Sequence, residues 1–173
     1  TKVGAPGSPA VTAALATGSS EEVPFEMPEG IPFALVPVEA DERTAFGWPV
    51  APEGLTELLV QLRDRYGDVL PPLYVTESGC STDDVVEDGA VHDEARSRYL
   101  DTHLDAVADA IDAGVDVRGH FVWSLLDNFE WAEGYTQRFG LVRVEFDDGQ
   151  TRIPKDSYAW LRERITQIRQ GNG

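Results

Sequence analysis

LYVTESG (residues 73–79) and VDVRGHFVWSLL (residues 115–126) are the two apolar runs that decide how this chain folds. Both are short and rich in β-branched and aromatic residues, which predicts one buried strand in each. Amphipathic, helix-forming stretches flank both runs, and strands that are apolar throughout between such helices are typical of parallel sheets covered by helices. Because two parallel strands cannot form a complete sheet by themselves, the pattern indicates an arc of a larger α/β fold.

The flanking helices are predicted from apolar residues that recur at intervals of three and four positions. The first helix follows Pro52 and ends at Gly67, a residue suited to a helix C-terminus. The second runs from about Asp93, as its N-cap, to Gly114, and the third begins near Lys155. Their apolar stripes are Leu55, Leu58, Leu59, Leu62 and Tyr66; Leu100, Leu104, Val107 and Ile111; and Tyr158, Leu161, Ile165 and Ile168.

The chain separates into two regions of different composition. Residues 1–45 are rich in Gly, Pro, Ser and Thr and show no periodicity, so we expect an irregular loop segment there. Residues 46–173 contain the alternating helix and strand patterns. Within them, the acidic stretch STDDVVEDGAVHD (residues 81–93) is predicted to be a solvated loop.

The charge of the chain argues against two classes of partner. It has 14 basic and 31 acidic residues and a net charge of −17. Binding to nucleic acid or to an anionic membrane surface is not expected, because both need clustered Lys and Arg. No segment reaches the length of about 18 continuous apolar residues that a membrane span requires. No signal peptide is recognisable at the start of the chain, so we expect a cytoplasmic location.

The cysteine and the histidines show no pattern of metal or redox chemistry. Cys80 is the single cysteine and has no clear base beside it, so we interpret it as a small structural residue. His92, His103 and His120 have no metal-ligand spacing with it. We therefore expect neither a metal ion nor an organic cofactor.

Polar and aromatic residues follow both predicted strands. Glu77 stands where the first strand stops, and the second ends in WSLLDNFEW (residues 123–131). In parallel α/β barrels, functional side chains gather at the C-terminal ends of the strands. Trp123 offers a flat apolar face, Glu130 two acceptor oxygens and Trp131 an indole N–H donor, which suit the C–H faces and hydroxyls of a sugar. A place in the core or in a turn is the alternative for each residue alone, but together they favour a sugar site.

YVTESG (Tyr74–Gly79) and FVWSLLDNFEWAEGYTQRFGLV (Phe121–Val142) closely resemble the retaining β-glucosidases of glycoside hydrolase family 1. The resemblance extends over roughly residues 46–164 and includes GWPVAPEGLTELL and RIPKDSYAWLRERI. It implies a partial (β/α)8 TIM barrel, of which this chain is the C-terminal arc with the seventh and eighth βα units. A barrel of this type takes about 250 residues or more, so the chain cannot close one.

The resemblance also implies roles for individual residues. Glu77 matches the nucleophile, which forms a covalent glycosyl-enzyme. Trp123 matches the tryptophan under the sugar, and Glu130 matches the glutamate that hydrogen-bonds its 4- and 6-hydroxyls. Trp131 matches the neighbour that donates to the 3-hydroxyl, and Phe139 matches an aromatic residue on the wall of the same subsite. Glu77 is therefore the catalytic candidate, and the other four are the substrate-binding candidates.

The resemblance makes Glu130 informative about the substrate. In the branch of the family that cleaves 6-phosphoglycosides, a small polar residue takes this place, and a lysine and a tyrosine follow. This chain has Glu130, whose carboxylate would repel a 6-phosphate, and Gln137, Arg138 and Phe139 downstream. We therefore expect an unphosphorylated β-glucoside or related β-glycoside, and a phosphoglycosidase is the alternative that Glu130 argues against.

Two departures from the family pattern bear on activity. The nucleophile motif usually reads Glu-Asn-Gly, whereas this chain has Glu77-Ser78-Gly79, in which serine keeps a hydrogen-bonding side chain. The general acid/base glutamate of the family lies in an Asn-Glu-Pro motif, and this chain has no such tripeptide. Because retention needs two carboxyl groups roughly 5 Å apart, we expect the isolated chain to be inactive and to need the missing N-terminal barrel portion as partner. The alternative is a non-catalytic sugar-binding or interaction module derived from the same barrel.

Overall fold

The computed structural model of this protein describes residues 2–4, 34–36 and 40–171. The chain divides into two compact units, Thr1–Asp41 and Glu42–Gly173. Among the described residues, the helices all belong to the second unit, as do all of the site residues named above.

The first unit contains a pair of short strands. Strand β1 (Lys2–Gly4) pairs antiparallel with β2 (Ala34–Val36). Both strands lie in the segment that is predicted to be an irregular loop. The rest of that prediction for the first unit concerns positions 1, 5–33 and 37–39, which lie outside the described residues.

The second unit alternates helices and strands, as the apolar periodicity predicts. In chain order its elements are α1 (Glu53–Tyr66), β3 (Leu73–Ser78), β4 (Val86–Glu87), β5 (Ala90–Val91), α2 (Glu94–Asp112), β6 (Val117–Val122), β7 (Val142–Glu145), β8 (Thr151–Pro154) and α3 (Asp156–Gly171). Helix α1 ends at Gly67, whose φ of 52° is a backbone conformation that favours glycine. In the described part of the chain, no helix has the length and apolarity that crossing a membrane requires.

Strands β3 and β6 form a parallel pair, which confirms the predicted orientation. The register pairs Leu73 with Val117 at one end and Ser78 with Val122 at the other, so the C-terminal ends of the two strands lie side by side. The connection between them contains α2, as parallel strands require a long crossover. Each sheet formed by the described residues has two strands, so none closes into a barrel.

Two small hydrophobic cores hold the helices against the strands. One core consists of Leu59 from α1, Val107 and Ala110 from α2, and Val115. The other joins α2 to α3 through Leu100 and Leu161, together with Leu141. Full burial of one such aliphatic side chain contributes about 1.5–3 kcal/mol, so each of the buried leucines and valines stabilises the packing of helices on strands.

The predicted apolar stripes extend beyond these cores. Leu58 on α1 and Ile111 on α2 are 53% and 47% exposed. Ile165 and Ile168 on α3 are also exposed. The periodicity includes the buried residues Leu59, Leu100 and Leu161, but other members of the same stripes remain exposed.

Two hairpins lie where the sequence indicates loops and turns. Strands β4 and β5 pair across Asp88 and Gly89, whose positive φ angles of 50° and 80° suit a tight hairpin turn. Strands β7 and β8 pair across the DDGQ turn, residues 147–150. The acidic stretch after β3, predicted as a loop, therefore contains a short hairpin.

Candidate active site

The ends of β3 and β6 bring Glu77 and Trp123 next to each other. The backbone N–H of Trp123 donates to the carbonyl of Ser78 at 3.0 Å. Gly79 allows this approach, because a Cβ at that position would lie 1.8 Å from the carbonyl oxygen of Trp123. Parallel pairing of the two strands thus places the predicted nucleophile beside the predicted sugar platform.

An open cleft of about 350 Å³ lies at these strand ends. Its lining includes four of the five predicted site residues: Glu77, Trp123, Glu130 and Phe139. Glu77 is exposed, and Trp123 exposes 40% of its surface. The structure therefore brings together residues that are up to 62 positions apart in the sequence, from Glu77 to Phe139, in a cleft open to solvent.

Glu130 is held by hydrogen bonds within its own loop, and its carboxylate can accept further hydrogen bonds. Its backbone N–H donates to the carbonyl of Gly134 at 2.6 Å, and one carboxylate oxygen accepts a hydrogen bond from Asn128 Nδ2 at 2.9 Å. A carboxylate offers about four lone-pair sites, so this single side-chain donor leaves room for further donors such as sugar hydroxyls.

The two remaining predicted residues differ sharply in exposure. Phe139 is 3% exposed, and its ring lies 6.1 Å from that of Trp48 and 6.2 Å from that of Phe46. Trp131 is 84% exposed and does not belong to the lining of the cleft. Phe139 is thus part of a packed aromatic wall, whereas Trp131 extends into solvent at the edge of its loop.

The cleft also contains residues that sequence reasoning did not single out as site residues. Trp48, Tyr99 and His103 line it with the predicted ones. Tyr99 and His103 stack at 3.8 Å between ring centroids, and His103 Nδ1 hydrogen-bonds the carbonyl of Tyr99 at 2.7 Å. Their spacing of four positions places both rings on one side of α2 and could have identified them. The prediction assigned the neighbouring positions Leu100 and Leu104 to the apolar stripe instead.

A buried network of charged side chains connects several segments of the second unit. Its members come from four separate segments and comprise three carboxylates and three cations: Asp84, Asp93, Asp127, Arg96, Arg138 and Lys155. Burial by itself raises the pKa of Asp84, but Arg96 and Lys155 outweigh that effect and hold it below the ordinary value of 3.8. Burial and the nearby Arg96 lower the pKa of Lys155, although Asp84 and Asp127 oppose this shift.

Asp93 and Cys80 show how tertiary contacts decide local roles. Asp93 occupies the predicted N-cap position of α2 but makes no side-chain capping bond. Its carboxylate instead accepts hydrogen bonds from Ser157 N at 2.8 Å and from Arg96. Burial raises the pKa of the Cys80 thiol to about 12, so the thiol stays protonated, as a structural residue would.

We expect the unfolding free energy to fall as the pH drops below 6.5. Burial lowers the pKa of both His103 and His120 below the ordinary 6.5. The unfolded chain then binds more protons than the folded chain, so stability is complete above pH 6.5 and is lost as the pH falls toward the folded-state pKa values. Urea unfolding between about pH 7.5 and pH 5 measures this slope.

A double variant, His103→Gln with His120→Gln, should flatten that slope. His92→Gln is the matched control, because His92 is exposed and the hydrogen bond to Asp156 raises its pKa. Its contribution has the opposite sign: it is present below pH 6.5 and is lost as the pH rises through the folded-state pKa. An unchanged slope in the double variant would contradict the assignment.

Comparison with known proteins identifies the class to which this fold and cleft belong. A family model described as Glycosyl hydrolase family 1 matches residues 12–170. Beta-glucosidase A of Thermotoga maritima is 50% identical over 125 residues, which cover 71% of this chain and 27% of that protein. The bifunctional beta-D-glucosidase/beta-D-fucosidase of Bifidobacterium breve is 49% identical over 131 residues, covering 73% of this chain and 28% of that protein. The structure of the Thermotoga maritima beta-glucosidase in complex with deoxynojirimycin matches with a TM-score of 0.72 at 44% identity, covering 78% of this chain and 30% of that one.

The relatives are barrel-type glycoside hydrolases, and the chain belongs to glycosyl hydrolase family 1. The predicted resemblance to the β-glucosidases of this family is confirmed. The helices and the parallel strand pair match part of the relatives' TIM barrel. The chain spans about 30% of the length of the relatives that it matches.

Proposed function

We propose that this chain is the C-terminal part of a retaining β-glucosidase and supplies the seventh and eighth βα units of its barrel. The observation that carries the proposal is the convergence of Glu77, Trp123 and Glu130 on one cleft at the C-terminal ends of two parallel strands. Active sites of barrel enzymes lie at this end of the strands. The names of the Thermotoga maritima and Bifidobacterium breve relatives support the substrate class.

Glu77 is the proposed nucleophile. Its carboxylate attacks the anomeric carbon as the bond to the aglycone breaks, which gives a covalent glycosyl-enzyme that water then hydrolyses with net retention. The position of Glu77 at the end of β3, exposed in the cleft, supports this role because a substrate can reach the carboxylate. The second carboxyl group of the mechanism would protonate the leaving group.

Four residues are proposed to hold the sugar. Trp123 would lie against its C–H face, and Glu130 would accept hydrogen bonds from the 4- and 6-hydroxyls. To donate its indole N–H to the 3-hydroxyl, Trp131 would have to turn toward the cleft, whose lining does not include it. Phe139 would form the wall behind the sugar, as its packing against Trp48 supports. The carboxylate of Glu130 favours a glycoside without a 6-phosphate.

The missing acid/base glutamate is proposed to come from the N-terminal portion of the barrel. The chain covers 27% of the length of Beta-glucosidase A, which leaves most of a barrel to be supplied. Strands β3 and β6 expose large apolar side chains, with Tyr74 at 54% and Phe121 at 57%. Further barrel strands would cover this face, because apolar patches of this kind mark interaction surfaces.

The proposal predicts that the purified 173-residue chain leaves a nitrophenyl β-glucoside intact. A chimera in which the 125 matched residues of this chain replace the corresponding 27% of Beta-glucosidase A should hydrolyse the same substrate, because it restores both carboxyl groups. Release of nitrophenol measures both activities, and the chimera should prefer the plain glucoside over its 6-phosphate.

Three outcomes would contradict parts of the proposal. Turnover by the chain alone that is lost on Glu77→Ala would show that the second carboxyl group is not needed. A folded but inactive chimera would contradict the enzymatic role, and glucose binding by the chain in calorimetry would then favour a non-catalytic sugar-binding module. Faster cleavage of the 6-phosphoglucoside would contradict the substrate assigned from Glu130.

A further inference from the structure

The carboxylate of Asp127 is fully buried and accepts four hydrogen bonds. Lys155 Nζ and the backbone N–H of Gly140 donate to one oxygen at 3.0 and 2.9 Å. Arg138 Nη1 and the backbone N–H of Val144 donate to the other at 3.0 and 3.3 Å. Asp127 belongs to WSLLDNFEW, but its carboxylate is fully occupied by these four protein donors and is not accessible to a substrate. Its contacts lie at the base of the loop that follows.

Asp127 and Gly140 form the closed base of the loop of residues 128–139. The backbone N–H of Asp127 donates to the carbonyl of Val142 at 3.1 Å. A Cβ on Gly140 would lie 2.2 Å from the nitrogen of Asp127. The two ends of the loop are therefore so close that only glycine fits at position 140. This loop carries Glu130 and Phe139, which both line the cleft.

The network extends from Asp127 to the segment that follows Glu77. Lys155 donates to both Asp127 and Asp84, and Arg96 also donates to Asp84, at 3.1 Å. Arg96 in turn donates to the carbonyl of Arg138 at 2.6 Å. These buried side chains join the loop of residues 128–139 to Asp84, in the segment that follows β3.

The aromatic contacts of the loop are partly exposed. Phe129 meets Tyr135 edge-on at 5.3 Å, and Tyr135 lies 4.1 Å from the ring of Phe146, which follows the loop. Phe129 and Tyr135 are 59% and 50% exposed. The hydrogen bonds of Glu130 with Gly134 and Asn128 fix this residue within its loop. The place of the whole loop relative to Glu77 therefore depends mainly on the buried charge-assisted hydrogen bonds at its base.

We propose that Asp127 is a positioning residue that fixes the loop of residues 128–139 and thereby sets the place of Glu130 relative to Glu77. Its assignment to substrate positioning rests on the proposed function, because Glu130 is a sugar ligand only there. Asp127 itself does not contact the sugar. Its charge, and not only its shape, is required, because two of its four donors are cations.

Asp127→Asn tests the role with little change in volume. We expect amide hydrogen exchange of Glu130, Thr136 and Leu141 in the 173-residue chain to accelerate about tenfold to a hundredfold, because a buried charge-assisted contact is weakened. The amides of Leu100 and Val107 in α2 should change much less. Asp109→Asn, an exposed change on the same helix, is the matched control and should leave all of these rates unaltered.

Glucose titration followed by amide NMR shifts supplies the functional arm. The titration uses the chimera with Beta-glucosidase A, in which the rest of the barrel is present. The unchanged chimera should show shifts at Glu130, and Asp127→Asn should weaken the affinity about tenfold, since misplacing one charge-assisted hydrogen bond has an effect of this order. If the unchanged chimera shows no shift with glucose, the proposed sugar site is contradicted, while hydrogen exchange in the 173-residue chain still decides whether Asp127 fixes the loop.

Two results would overturn the positioning role. One is unchanged exchange in residues 128–141 of a folded Asp127→Asn chain. The other is equal acceleration in the loop and in α2, which would mean a purely global effect. If Asp127→Asn fails to fold, Arg138→Gln is the second variant. It removes one donor to Asp127, from a side chain that is 17% exposed. We expect a smaller acceleration of amide hydrogen exchange, confined to the same loop.

Discussion

Glu77→Gln in the chimera with Beta-glucosidase A should lower aryl β-glucoside hydrolysis on the order of 10⁴-fold or more. The amide keeps the size of the side chain but is a poor nucleophile, so the covalent glycosyl-enzyme cannot form. Because Glu77 is exposed at the end of β3, the substitution should leave the fold intact. Initial rates with a nitrophenyl β-glucoside measure the loss, and circular dichroism checks the fold.

A matched control and a chemical rescue make this result specific. Glu57→Gln changes an exposed glutamate on α1 and should leave the rate within about twofold of the unchanged chimera, as surface substitutions away from a site usually do. In Glu77→Ala, added azide should restore turnover by attacking the anomeric carbon in place of the carboxylate. A Glu77→Gln chimera that retains more than about a tenth of the activity would show that another group is the nucleophile.

Lys155→Met should lower the free energy of unfolding of the chain by about 3–5 kcal/mol. The side chain of Lys155 is 0% exposed, and its ammonium group contacts both Asp84 and Asp127. Methionine matches the length of the stem but leaves two buried carboxylates short of a cation, and uncompensated buried charge is strongly destabilising. Urea unfolding at pH 7 measures the difference through the shift of the transition midpoint.

Arg98→Met is the control for the loss of a charged contact at the surface. Arg98 pairs with Glu42 at 3.1 Å, but the two side chains are 59% and 48% exposed. Such pairs contribute about 0–1 kcal/mol, so the control should differ clearly from Lys155→Met. Equal effects of the two substitutions would contradict the view that the buried network stabilises the site loop.

Local pattern was sufficient to predict the main elements of the second unit. The apolar stripes predict α1, α2 and the beginning of α3, and the apolar runs predict β3 and β6 and their parallel orientation. These features depend on residues that are close in sequence, where periodicity and helix-ending glycine act directly. The β4–β5 hairpin was missed although Asp88 and Gly89 are typical turn residues, because the charge of the surrounding segment suggested a solvated loop.

The residue types of the candidate site were predicted from the sequence, but the contacts that hold these residues in place were not. The residue types of Glu77, Trp123 and Glu130 indicate a sugar site, and the fold places them in one cleft. The same reasoning could not foresee that Phe139 is buried while Trp131 is 84% exposed. Exposure of an aromatic side chain in a loop depends on what packs against it, and the packing partners Phe46 and Trp48 are distant in sequence.

By itself the sequence determined that this chain has alternating helices and strands and belongs to glycosyl hydrolase family 1, because strand runs, helix stripes and family motifs are local patterns of residue type. Only the tertiary structure decided which of the many carboxylates support the site. Asp84 contacts Lys155, which lies 71 positions away in the sequence. Asp93 accepts a hydrogen bond from Ser157 and does not cap its own helix with its side chain. A buried charge is stable only beside its partner, and that pairing exists only once helices and strands have packed.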